Sequence, residues 1–147
     1  MWRKLIATTR TWMTVPVRLA LGMIFIAHGA QKVFGSFGGH GLIDFTTGDA
    51  PLGLRPAWLW LGAAAFSELI GGILVLFGLF TRLGAFAIAM VMLVAMLGVQ
   101  WGAFFLNNKG IEYTVALLGM SLALLIAGGG QASIDQKLMN TRGRRRF

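Results

Sequence analysis

The chain contains no cysteine. That absence excludes disulfide exchange, thiolate metal sites, protein-ligated iron–sulfur clusters and covalent c-type haem within it. Charge is scarce too: charged residues make up 12% of the 147 positions, about half the share found in an average soluble domain. No run of alternating ten-residue strands is present, which sets aside a transmembrane β-barrel. Nor is there a dinucleotide-binding fingerprint or a histidine pair placed for a bis-histidine haem. The two halves show neither an inverted repeat nor a pair of broken helices, the marks of many secondary transporters. No small-x-small cleavage site precedes His28, so the basic and then apolar N-terminus reads as an uncleaved first span.

What the chain does contain is hydrocarbon. Hydrophobic residues account for 56% of it, and the mean hydropathy is +0.73. Four apolar runs stand out, each near the twenty residues needed to cross about 30 Å of hydrocarbon. They cover residues 15–34, 57–80, 83–105 and 111–127. In lipid, only helices or closed barrels satisfy their own backbone polar groups. The expected fold is therefore all-α, a four-helix transmembrane bundle over residues 15–130. Residues 1–14 and 131–147 form basic tails.

The net charge of +8 does not point to nucleic acid, because the basic residues flank the spans. Arg3, Lys4, Arg10 and Arg18 lie before the first or at its start. Lys137, Arg142, Arg144, Arg145 and Arg146 follow the last, and Arg82 sits in the turn between spans two and three. The opposite side carries only Arg55 and Lys109. This asymmetry places both termini in the cytoplasm, with the chain multi-pass in a bacterial or archaeal inner membrane. "GLFTRLG" is so short that spans two and three must be antiparallel neighbours. The outer loop from Gly35 to Arg55 is long and Gly-rich, and its Leu42, Ile43 and Phe45 predict a short helix at the interface or the bundle mouth.

Within the spans, polar groups are rare and expensive. "IFIAHGAQKVFG" carries His28, Gln31 and Lys32 on nearby positions of one helix, with Gly35 available as a C-cap. Glu68 lies in the middle of the second span, flanked at helical spacing by Ala64, Ala65, Gly71 and Gly72, the small residues that let another helix approach. Glu112 opens the fourth span, with Ala116, Gly119 and Ala123 on its face. Gln100 and Tyr113 fall at similar depth. The expectation is one buried polar cluster of His28, Gln31, Lys32, Glu68, Gln100, Glu112 and Tyr113, its cations facing a buried carboxylate. For Lys32 alone, snorkelling to the headgroups is the competing reading. His40 is a weak metal candidate, and no metal site is expected.

"RLALGMIFIAHGAQKVFG", "SELIGGILVLFGLFTRLGAFAIAMVMLVA" and "FFLNNKGIEYTVALLGMSLALLIAGGGQASID" together resemble the DoxX family in order and spacing. The similarity covers about residues 17–135. His28, Lys32, Glu68, Arg82, Glu112 and Tyr113 fit its polar motif pattern. The resemblance implies a four-helix membrane protein of the kind named for a small subunit associated with a terminal quinol oxidase and thiosulfate:quinone oxidoreductase. The basic tail and the Thr46–Thr47 loop depart from many relatives.

The leading functional expectation is an accessory subunit of a membrane redox complex, non-catalytic by itself. Its partners would be other membrane subunits and lipids. No cofactor is expected on this chain alone, although a quinone or a lipid would suit a polar pocket in the bundle. The alternatives are a quinone-interacting oxidoreductase subunit using His28, Lys32 and Glu68, and a small transporter or proton path.

Overall fold

The computed structural model describes residues 5–143. Arg3, Lys4, Arg144, Arg145 and Arg146, and the side chain of Arg142, lie outside the described residues. Six α-helices follow one another: α1 (Thr14–Phe34), α2 (Gly41–Thr46), α3 (Ala57–Phe77), α4 (Thr81–Gly98), α5 (Glu112–Ala127) and α6 (Ile134–Gly143). No strand occurs among the described residues. Helices α1, α3 and α4 are long and apolar enough to cross a membrane. Helix α5 is apolar but has 16 residues, a length of about 24 Å at 1.5 Å per residue.

Glycine sets the ends of the two longest helices. Gly35 adopts φ 70°, and its N–H returns to the Ala30 carbonyl, the αL cap expected from the sequence. Gly78 does the same for α3 at φ 66°, so the second span stops at Phe77 rather than continuing to Phe80. The third run is shorter still than expected. Helix α4 ends at Gly98, and the N–H groups of Val99 and Gln100 both return to the Ala95 carbonyl. Residues 99–105 have the hydropathy of a span but belong to the turn leading into α5. Hydropathy measures apolar content, and an interfacial turn rich in Trp and Phe carries as much of it as a helix.

Helix α1 packs most extensively on α3, α3 on α4, and α4 on α5, while α1 and α5 touch more sparsely. Buried Leu21, Phe25, Val75, Ala85, Ile88, Leu117 and Leu124 form the core. The α1–α3 contact is backbone to backbone. A Cβ on Gly29 would lie 2.5 Å from the Leu69 nitrogen, and one on Gly72 2.8 Å from the Ile26 nitrogen. Small residues on α3 therefore do face a neighbouring helix, as expected around Glu68. Those on α5 do not: Ala116, Gly119 and Ala123 are exposed, and Thr114, Leu117, Ser121 and Leu124 fill the buried stripe instead.

This contrast yields a direct test. Gly29→Ala should push α1 and α3 apart and cost about 1–3 kcal/mol, the usual range for overpacking. Gly119→Ala meets nothing within 4 Å and should be neutral or slightly stabilising, since alanine favours the helix. Detergent thermal melts that rank the two substitutions the other way would contradict this packing.

The two ends of the bundle are built differently. At the end where the segments before α1 and after α5 meet, long-range hydrogen bonds knit them together. Thr9 donates to Ala127, Gln131 to Thr11, Thr14 to Gly129 and the Asp135 N–H to Gly78. Residues on both sides of the expected boundaries at 14 and 130 thus join one closed structure, with Ile6, Ser133 and Asp135 buried in it. At the opposite, loop end, α2 forms where Leu42, Ile43 and Phe45 predicted a short helix. No backbone or side-chain hydrogen bond ties residues 36–55 to α1, α4 or α5, and the single link to α3 is Trp60 Nε1–H to the nearby Arg55 carbonyl. Packing holds the loop down, with the Gly39 backbone seated against the Gln31 backbone.

Candidate functional site

The stripe that buries α1 runs through Arg18, Leu21, Gly22, Phe25 and Gly29, and Lys32 continues it one helical step further. On α3 the corresponding stripe runs through Leu61, Ala65, Glu68, Gly71, Gly72 and Val75. Where these two stripes meet near the loop end, the Lys32 ammonium donates to both carboxylate oxygens of Glu68. The Glu68 side chain is 4% exposed and that of Lys32 26%. This is the carboxylate that the cations of "HGAQK" were expected to face. It also decides between the two readings of Lys32, because an ammonium engaged with Glu68 is not snorkelling.

Helix α2 closes the pair from above. The Phe45 ring centroid lies 5.5 Å from Lys32 Nζ, inside the range of a cation–π contact. The ammonium thus spends two N–H groups on Glu68 and turns toward an aromatic face. Burying a carboxylate this deeply is costly unless it is paired and hydrogen-bonded, and Lys32 supplies both. The resulting unit carries no net charge.

The remaining members of the expected cluster are placed elsewhere. His28 is exposed. At about 100° per residue it lies about 20° beyond Leu21 and about 40° from Lys32, at the edge of the buried stripe rather than in the interior. Gln31 is half-buried, and the returning loop stacks its backbone under Gly39. Gln100 Oε1 accepts the Thr114 hydroxyl, and Glu112 Oε1 accepts the Leu106 N–H at 2.7 Å. Both side chains therefore fasten the α4–α5 connection. Tyr113 is exposed at 39%. Arg82 donates from Nη2 to the Ile126 carbonyl at 2.8 Å. Among the described residues, no group of three or more His, Asp or Glu side chains is placed to hold a metal ion.

A second polar centre escaped the sequence reading. Asp135 is 1% exposed and accepts from the N–H groups of Phe80 and Thr81 and from the Thr81 hydroxyl, at 2.8, 2.9 and 2.8 Å. It caps the first turn of α4 from a distant part of the chain. Arg18, 3% exposed, donates from Nη2 to the Ala132 carbonyl at 3.3 Å. Its Nε and Nη1 have no hydrogen-bond partner, and Asp135 is the carboxylate whose charge it feels. By sequence Arg18 reads as one of the cations flanking the first span. The available signal was its position, four residues inside α1, where a flanking residue should not be.

Comparison with known proteins fits this architecture. The DoxX profile matches residues 13–101, which include both halves of the Lys32–Glu68 pair and Phe45 beside it. A Bacillus subtilis (strain 168) protein carrying the name "Putative oxidoreductase CatD" is 36% identical over 111 residues, 76% of this chain and 77% of its own length. No solved structure matches. With three spanning-length apolar helices and the profile running through the site, the chain is a multi-pass membrane protein that belongs to the DoxX family.

Proposed function

We propose that this chain is an accessory subunit of a membrane redox complex, docked through α5 and not catalytic by itself. The observation that carries the reading is the outward line Ala116, Gly119 and Ala123. Each of the three is exposed, and Gly119 has nothing within 4 Å of where a Cβ would sit. Within hydrocarbon, apolar burial does not drive helices together, so close approach at small residues does that work. The bundle spends its other glycine faces internally, at Gly22, Gly29 and Gly72. It leaves this one open, on a helix about 24 Å long that a neighbour would help to shield from lipid headgroups. The redox assignment is supported by the relative named as an oxidoreductase.

Four helices cross the membrane in this reading, α5 included. Both termini lie in the cytoplasm of a bacterial or archaeal cell, and the α2 loop faces outward. Trp58, Trp60 and Trp101 are exposed near the loop end, where an aromatic belt belongs.

The test is extraction of the tagged chain from native membranes in mild detergent. Wild type should co-purify with redox subunits. Gly119→Leu should lose them while keeping its melting temperature, because the new side chain meets nothing within the chain. Undiminished co-purification would remove α5 as the docking face. A reporter fused after Phe147 that is active only outside the cytoplasm would overturn the topology.

A further inference from the structure

We propose that the cavity between the end of α2 and the start of α3 binds a zwitterionic lipid headgroup, with an ammonium and a phosphodiester on one molecule, as in phosphatidylethanolamine. The site lies apart from the α5 docking face, and the two stand or fall independently.

The cavity measures about 580 Å³, within the range of small-ligand sites. The segment leaving α2 lines it with Thr46, Thr47 and Asp49, and the segment entering α3 with Arg55, Ala57 and Trp58. The first set accepts hydrogen bonds. The Thr46 hydroxyl donates to the Leu42 and Ile43 carbonyls, and the Thr47 hydroxyl to the Asp44 carbonyl. Each hydroxyl has thereby used its one proton and keeps lone pairs, and an ionised Asp49 carboxylate is an acceptor only. The second set donates. Arg55 carries five N–H groups, and α3 begins at Ala57 without a side-chain cap, which leaves first-turn amides at the positive end of the helix dipole. Asp49 and Arg55 share this lining but do not pair with each other; the ion pair among the described residues is Lys32–Glu68. A purely anionic ligand would meet Asp49 and a purely cationic one would meet Arg55. A ligand that carries both charges satisfies both segments.

The membrane supplies such a ligand at this level. Helix α3 is of spanning length, and its first turn borders the cavity, where a spanning helix leaves the hydrocarbon. Trp58 and Trp60 are 62% and 46% exposed there, as befits rings that settle at headgroup depth. From the same turn, Leu59, Phe66, Ile70, Ile73 and Phe77 run down α3 as an exposed apolar stripe at helical spacing. Acyl chains of a lipid whose headgroup fills the cavity have that stripe to lie against.

Native mass spectrometry of the purified protein with added lipid tests the site. The chain should retain dioleoylphosphatidylethanolamine several-fold better than dioleoylphosphatidylglycerol, which lacks the ammonium. It should show the same advantage over dioleoylphosphatidylcholine, whose ammonium has no N–H to give. Asp49→Asn should remove most of both advantages. Arg55→Gln should lower phosphatidylethanolamine retention several-fold, whereas Lys109→Gln, an equal loss of charge at the same end of the bundle, should not. Asp49, Arg55 and Lys109 are all exposed, so melting temperatures should hold in all three variants. Equal retention of the three lipids, a preference undiminished in Asp49→Asn, or equal losses in Arg55→Gln and Lys109→Gln would overturn the site. Glycerophosphoethanolamine, the same headgroup without acyl chains, should displace the lipid only in large excess. Displacement at equal concentration would assign the cavity to a soluble zwitterion and overturn the lipid.

Discussion

Lys32→Ala should be among the most damaging single substitutions in the bundle, with a loss of about 3–5 kcal/mol, the usual cost of breaking a buried ion pair by removing one partner. The loss falls on Glu68, which is left 4% exposed with neither of its oxygens paired. Glu68→Ala should be milder, because the stranded ammonium is 26% exposed and its flexible stem can carry it toward the loop end. The double substitution should cost less than the sum of the singles, since neither charge is then buried alone. Reference states in membranes and detergents reduce such differences, so the sign of the coupling decides the matter. Thermal melts of the four proteins in one detergent measure it, and strict additivity would mean that the pair does not form.

A comparable loss is expected at the opposite end of the molecule. Asp135→Ala removes the acceptor for three hydrogen bonds and a carboxylate whose charge favours the Arg18 guanidinium. Each buried donor left without a partner should cost about 1–3 kcal/mol. The first turn of α4 suffers as well, because Phe80 sits at φ 45°, a strained value for a non-glycine residue that surrounding bonds must hold. Asp135→Asn keeps one oxygen acceptor and should fall between wild type and alanine. Adding Arg18→Met to Asp135→Asn should recover part of the loss, since no charge then remains buried. Hydrogen exchange at the Phe80 and Thr81 amides should accelerate in Asp135→Ala, and unchanged protection there would show that the cap is dispensable.

The two centres divide the molecule's tasks. The Arg18–Asp135 centre is enclosed by backbone hydrogen bonds and fastens the segments before α1 and after α5 to the α3–α4 turn. The Lys32–Glu68 centre lies under a helix attached only by packing.

Much of this was legible in the residues. Apolar runs of spanning length set the class, because hydrocarbon tolerates only backbones that satisfy themselves. Gly35 announced the end of α1, and the shortness of "GLFTRLG" made α3 and α4 neighbours. Glu68 could be placed in the interior because small residues surround it at helical spacing. Lys32 was its natural partner, four residues beyond a histidine that looked equally eligible. Tertiary structure alone decided the rest. His28 and Lys32 lie about 40° apart on α1, so local periodicity does not choose between them; the packing of Gly22 and Gly29 against α3 sets Lys32 against Glu68 and leaves His28 at the exposed edge. Rotation of α5 turned its small residues away from the core. Asp135 reached the first turn of α4, and Phe45 reached Lys32, through contacts between distant parts of the chain. Local sequence carries periodicity, capping and hydropathy; which faces meet is settled by the backbones that can approach each other closely and by the charges that cannot be buried alone.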